Sequence, residues 1–111
     1  MGQMELYEKT SSLEDEINRL KQSVNADFSQ IETVLDLGNR AVLNFNSLDE
    51  TDKEAVESSL DLSLSIVNAW KGGRMPTNFD RLEELVDIIS DSFRAKRIIL
   101  EDLEDRVVKV A

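Results

Sequence analysis

Hydrophobic residues recur every three or four positions over residues 13–45, which is the spacing of one apolar stripe along an α-helix. The members of this stripe are Leu13, Ile17, Leu20, Val24, Phe28, Ile31, Leu35, Gly38, Val42 and Phe45. No proline interrupts the stretch. The pattern therefore predicts one long first helix over residues 12–46. Asn25 and Asp27 could mark a kink, and a break near Asn25 would fold the helix back on itself.

Two further stripes predict two further helices. The second helix covers residues 52–71 and is entered through overlapping capping boxes that begin at Ser47 and Thr51. A glycine- and proline-containing turn at 72–77 ends it. The third helix covers residues 78–110, with a near-heptad seam of steps of three and four. Its stations are Leu82, Val86 or Leu85, Ile89, Phe93, Lys96, Leu100, Leu103, Val107 and Val110.

These elements predict an all-α fold in one domain over residues 1–111. The expected architecture is an antiparallel three-helix bundle with long first and third helices and coiled-coil-like packing. A break near Asn25 would instead give a four-helix bundle. Residues 1–11 either extend the first helix or fray before it. With aromatic residues at only 5% of the chain, aliphatic side chains must supply the core.

The helix lengths lead to a prediction of self-association. At 1.5 Å per residue the outer helices span roughly 50 Å and the middle one roughly 30 Å, so the outer helices overhang. Each large apolar side chain left in water there forfeits roughly 1.5–3 kcal/mol. We therefore expect a homodimer, or a helical or basic protein partner, to cover an interaction surface. That surface comprises Leu13, Ile17, Leu20, Leu100, Leu103 and Val107.

The chain is acidic, with 23 acidic and 13 basic residues and a net charge of −10. This balance disfavours direct binding to nucleic acid or to anionic lipid. No apolar run reaches the roughly 18 residues of a membrane span, and the N-terminus lacks a signal-peptide pattern. We expect a cytoplasmic protein without membrane contact. Because a carboxylate-rich helical scaffold can imitate DNA phosphates, an acidic inhibitor of a nucleic-acid-binding protein is the alternative function.

The chain contains neither cysteine nor histidine. Disulfides, thiol nucleophiles, the commonest general base and the commonest transition-metal ligand are therefore excluded. We predict no catalytic residue, no cofactor and no metal ligand. The expected function is that of a non-enzymatic helical interaction module, such as an adaptor, assembly factor, chaperone or small regulator, that self-associates.

Two groups of carboxylates suggest a second alternative. They are Asp80, Glu83, Glu84 and Asp87, followed by Glu101, Asp102, Glu104 and Asp105. This pattern resembles that of the all-α nucleotide pyrophosphohydrolases (MazG-like), and the resemblance implies Mg²⁺-dependent nucleotide hydrolysis. However, nothing over residues 88–100 breaks the predicted helix, so both groups would lie on one rod about 25 Å apart. They could converge only across a dimer, and we interpret them as solvated charges.

Three smaller features of the sequence lead to further predictions. Trp70-Lys71-Gly72 resembles the W-x-G turn of the secreted helical-hairpin (WxG) family, but we expect Trp70 to pack at a helix end beside a glycine cap. The basic cluster Arg94, Lys96 and Arg97 is expected to pair with acids of the first helix or of a dimer mate. Gly38 lies on the first stripe, where it either permits close helix approach or marks a bend.

Overall fold

A computed structural model of the chain describes residues 2–98. These residues form α-helices and contain no strand; the helices are α1 (Gln3–Leu20), α2 (Ser29–Leu43), α3 (Glu50–Lys71) and α4 (Phe79–Ala95), with one turn of 3-10 helix at Phe45–Ser47. The predicted all-α class is confirmed. None of the helices in this part of the chain is long and apolar enough to cross a membrane.

Helix α3 occupies the centre of the fold, because it packs against α1, α2 and α4. Helix α2 also packs against α1 and α4, so α1 and α4 lie on opposite sides of the α2–α3 pair. Ion pairs between Lys9 and Asp61 (2.9 Å) and between Glu16 and Lys71 (3.0 Å) show that α1 and α3 run parallel. The core is almost entirely aliphatic, and its fully buried members include Leu6, Leu13, Ile31, Val34, Val56, Leu60, Val67, Leu82 and Phe93.

The prediction of one continuous first helix is wrong, because residues 21–28 separate α1 from α2. Asp27 Oδ1 accepts hydrogen bonds from the Ser29 backbone N–H at 3.0 Å and from Ser29 Oγ at 2.6 Å, which partners a free amide at the start of α2. Phe28 is buried beside the Trp70 ring, 5.1 Å away. The fold-back lets the apolar stripe of α1 pack against α2 and α3, and this burial outweighs local helix propensity.

The predicted third helix is also too long, because α4 ends at Ala95. Arg97 adopts the left-handed conformation, with a φ of 59°. The Ile98 N–H donates to the Phe93 carbonyl at 2.7 Å, which completes a Schellman-type C-cap. The Ile98 side chain is buried against the core. The remaining stations of the predicted seam, within residues 99–111, lie outside the described residues.

The other helix ends largely follow local signals. Helix α3 is capped by Asp49, whose side chain accepts from the Asp52 N–H, and not by Ser47 or Thr51 as predicted. It ends at the predicted residue, and Gly73 takes a positive φ of 72° just beyond it. Residues 72–78 then lead to α4, whose N-cap is Asn78.

The helix starts and ends meet at two ends of the bundle. At one end, Gln3 Nε2 donates to the Val42 carbonyl at 2.6 Å, and Lys96 Nζ donates to Asp49 Oδ2 at 2.6 Å. The starts of α1 and α3 and the ends of α2 and α4 therefore lie together, at what we call the proximal end. The connections 21–28 and 72–78 lie at the opposite, distal end.

Candidate interaction surface

Half of the predicted interaction surface lies in the core. Leu13, Ile17 and Leu20 are 0%, 2% and 5% exposed, because α2 and α3 cover the stripe of α1. The prediction that these three side chains form an exposed contact surface is therefore corrected. The other predicted members, Leu100, Leu103 and Val107, lie outside the described residues.

Large apolar side chains are exposed instead at the proximal end. Met4 and Tyr7 on α1 are 67% and 53% exposed, and Leu43 at the end of α2 is 68% exposed. The hydrogen bond from Gln3 to the Val42 carbonyl joins the two helix ends, so Met4 and Leu43, the residues that follow these partners, lie at the same level of adjoining helices. Tyr7 lies one turn after Met4 on α1. We call these three residues the proximal patch.

Carboxylates flank the proximal patch. Glu14 lies seven residues after Tyr7, and Asp36 lies seven residues before Leu43, so each shares a helix face with a patch member. Because α1 and α2 are antiparallel, both acids lie on the distal side of the patch. Glu8 lies one turn after Met4. Glu8, Glu14 and Asp36 form what we call the acidic strip, and within residues 2–98 none of them has an ion-pair partner.

The electrostatics of the strip are uneven. Partial burial raises the pKa of the Asp36 carboxyl above its usual value; the nearby Arg40 opposes this shift and Glu32 adds to it. Further towards the distal end, Lys21 Nζ pairs with Glu32 at 3.0 Å. The face formed by α1 and α2 therefore runs from an apolar end, through unpaired carboxylates, to a neutralised ion pair.

A separate polar network lies where α4 ends beside the start of α3. The Asp52 side chain is only 7% exposed, and it accepts hydrogen bonds from Ser92 Oγ at 2.6 Å and from Lys96 Nζ. Lys96 also bonds Asp49, and this bond holds the pKa of the Asp49 carboxyl below its usual range. The prediction that Lys96 pairs with acids of the first helix or of a dimer mate is corrected, because its partners are on and before α3. The network fastens α4 to α3.

Two substitutions in this network are expected to lower the stability of the fold by different amounts. Lys96→Met leaves a buried carboxylate without its ammonium partner, whereas Asp52→Asn leaves an ammonium that is 35% exposed and can be hydrated. We therefore expect Lys96→Met to lower the urea midpoint more than Asp52→Asn does. Arg94→Met, which removes an exposed pair with Asp91 at 3.8 Å, is the matched control and should leave the midpoint unchanged. Equal midpoints for all three variants would contradict this account.

The same network makes the stability of the fold depend on pH. The hydrogen bonds to Asp49 and Asp52 raise the pKa of Lys96 above its usual 10.5. Its contribution to stability is therefore complete below pH 10.5 and is lost as the pH rises through the folded-state pKa. Urea titrations across the alkaline range should show this loss in the natural chain. The loss should be smaller in Lys96→Met and should move to higher pH in Lys96→Arg, because a guanidinium stays charged.

The first carboxylate group, Asp80, Glu83, Glu84 and Asp87, lies on the exposed side of α4, and Arg81 pairs with Glu84 at 3.2 Å. Within residues 2–98, no group of three or more carboxylates lies close enough together to hold a metal ion. The second group, residues 101–105, lies outside the described part of the chain. The prediction of one rod carrying both groups is corrected, because α4 ends at Ala95.

The tryptophan of the W-x-G motif packs at the distal end. Its ring lies edge-on to Phe28, with centroids 5.1 Å apart, and 5.8 Å from the ring of Phe79. The expectation that Trp70 packs at a helix end beside the glycine turn is confirmed. The three rings join the end of α3 to the 21–28 connection and to the start of α4.

Sequence reasoning missed the proximal patch, although a signal was present. Met4 and Tyr7 share one helix face, and that face lies away from the stripe that buries Leu6 and Leu13. Leu43 likewise lies off the stripe of α2.

Comparisons with protein-family models, with curated proteins and with solved structures found no match to this chain.

Proposed function

We propose that this chain is a non-enzymatic helical interaction module that binds a protein partner through the proximal patch. The observation that carries the proposal is the gathering of Met4, Tyr7 and Leu43, each more than half exposed, on two adjoining helices. Exposed apolar side chains that cluster, unlike single ones, are typical of binding surfaces. Tyrosine and methionine are also enriched where proteins meet.

The exposed patch favours a non-identical partner over a second copy. A two-fold dimer through this face would bring the acidic strips of both copies to one interface, and like charges there oppose association. The sequence predicted self-association from uncovered apolar side chains. That argument no longer applies to Leu13, Ile17 and Leu20, which are already covered within one chain. In our proposal the four helices act as one small bundle that presents the α1–α2 face to its partner.

Affinity capture from an extract of the source organism tests this function. The natural chain is compared with Met4→Gln/Tyr7→Gln/Leu43→Gln, in which glutamine keeps helix propensity and removes the apolar surface. Met75→Gln/Ile88→Gln is the matched control, since these two side chains are exposed away from the patch. Circular dichroism verifies that each variant is folded.

We expect mass spectrometry to identify proteins that the natural chain and the control retain and that the patch variant loses. Identical sets of captured proteins for all three chains would overturn the proposed function. The comparison does not depend on knowing the partner in advance, because each protein is scored by its dependence on the patch.

A further inference from the structure

The chemistry of the α1–α2 face indicates what kind of partner it fits. We infer, resting on the proposed function, that the partner is a cationic amphipathic helix lying along this face. Its apolar residues cover the proximal patch, and its lysine or arginine side chains lie about two turns further along, over Glu14 and Asp36 of the acidic strip. The partner is therefore defined by an apolar segment followed by a basic segment, and not by hydrophobicity alone.

The spacing on this face sets the register of the partner. Tyr7 and Glu14, like Leu43 and Asp36, are seven residues apart, which corresponds to about 10 Å along each helix axis. Both pairs run from apolar to acidic in the same direction, because α1 and α2 are antiparallel. A bound helix with the same rise per residue would need its apolar and basic residues offset by about seven positions.

The charges on the face favour a cation. Glu8, Glu14 and Asp36 have no ion-pair partner within residues 2–98, although the charge of Arg40 already acts on Asp36, whereas Glu32 is paired with Lys21. A basic side chain over the strip would gain attraction that is not offset by breaking an existing ion pair. Beyond the strip the ion pair of Lys21 and Glu32 offers no net charge, so the preference for basic residues is confined to the middle of the face.

The shape of the face favours a helix. Two antiparallel helices present a shallow groove between parallel rows of side chains, into which a third helix can lay one apolar ridge. No sheet edge exists within residues 2–98 to which an extended peptide could add as a strand. Anionic lipid and nucleic acid would bring phosphates against the carboxylates of the strip, which is unfavourable.

A designed peptide serves as the probe. It is a fluorescein-labelled helix of about 18 residues with leucines on one face of its first two turns and lysines two turns further along. One control peptide replaces each lysine with glutamate. A second control keeps the composition but places lysines and leucines at the same level of the helix. Fluorescence anisotropy measures the affinity of each peptide for the full chain.

Three variants of the chain separate the contributions. Glu8→Gln/Glu14→Gln/Asp36→Asn removes the acidic strip and should weaken binding about tenfold and flatten its salt dependence. The patch variant Met4→Gln/Tyr7→Gln/Leu43→Gln should weaken binding about thirtyfold or more. The matched control removes three carboxylates elsewhere, Glu54→Gln/Glu83→Gln/Asp87→Asn, and should bind as the natural chain does.

Each contrary result has a distinct meaning. Equal binding of the lysine and glutamate peptides, or no effect of the strip variant, would overturn the cationic partner while leaving patch-dependent capture, and so the proposed function, intact. Patch-dependent self-association in sedimentation, or patch-dependent pelleting of the chain with phosphatidylserine vesicles, would likewise overturn the cationic partner. Loss of patch dependence in the capture experiment would instead overturn the proposed function itself.

Discussion

Replacing Leu13 with alanine is expected to lower the free energy of unfolding by about 3 kcal/mol, within the range typical of truncating a fully buried leucine. The side chain has no exposed surface and belongs to the main hydrophobic core. Removing it costs the transfer free energy of the lost atoms and leaves a cavity that the aliphatic neighbours only partly fill. Urea denaturation followed by circular dichroism measures the change.

The control for this substitution is Met4→Ala. Met4 is 67% exposed on the same helix, so its truncation should change the stability by less than about 0.5 kcal/mol. Sedimentation should show the same molecular mass for the natural chain and for both variants. An alanine variant at position 13 with natural stability and altered self-association would show that the residue is a surface contact, as the stripe alone had predicted.

Gly38→Ala is expected to destabilise the fold by up to about 2 kcal/mol, although alanine is the better helix former. A Cβ at this position would lie 2.8 Å from Thr10 Oγ1, 3.2 Å from Thr10 Cγ2 and 3.3 Å from Leu60 Cδ2. Thr10 is buried, and its hydroxyl donates to the Leu6 carbonyl at 2.8 Å, so the side chain cannot easily rotate away. Overpacking of about 1–3 kcal/mol therefore exceeds the roughly 1 kcal/mol gain in helix propensity.

Removing the opposing side chain should relieve the clash. The double variant Thr10→Ala/Gly38→Ala is expected to be more stable than the sum of its single substitutions indicates, by about 1 kcal/mol in a double-mutant cycle. Gly72→Ala is the control, because a Cβ there meets its nearest atom at 3.5 Å, which is ordinary contact. Strict additivity of the two substitutions would mean that the helices do not approach each other as closely as described.

The sequence alone predicted those features that local chemistry determines. Helix α3 ends at Lys71 because two glycines follow it, and this signal is readable without any tertiary information. The all-α class likewise follows from apolar spacing. Gly38 was assigned to either close packing or a bend, and only the positions of Thr10 and Leu60 distinguish these alternatives, in favour of close packing.

The features that were missed are determined by tertiary packing. Neither proline nor glycine occurs over residues 21–28, so the break there depends on the burial of Phe28 and on the hydrogen bonds of Asp27. Similarly, arginine is an uncommon residue for a left-handed cap, and the left-handed conformation of Arg97 beyond the end of α4 depends on the anchoring of Ile98 in the core. The predicted interaction surface was misplaced for the same reason, because an unbroken first helix would leave the apolar stripe of Leu13, Ile17 and Leu20 uncovered.

The common location of the α1 start and the α4 end has a practical consequence for experiments. A purification tag or fluorescent protein fused ahead of residue 2 would sit beside Met4 and could obstruct whatever docks there. An insertion between Gly73 and Arg74 would project from the opposite pole, where a side chain on Gly73 would meet no atom within 4 Å. Reporters inserted at that loop should therefore give truer affinities than N-terminal fusions.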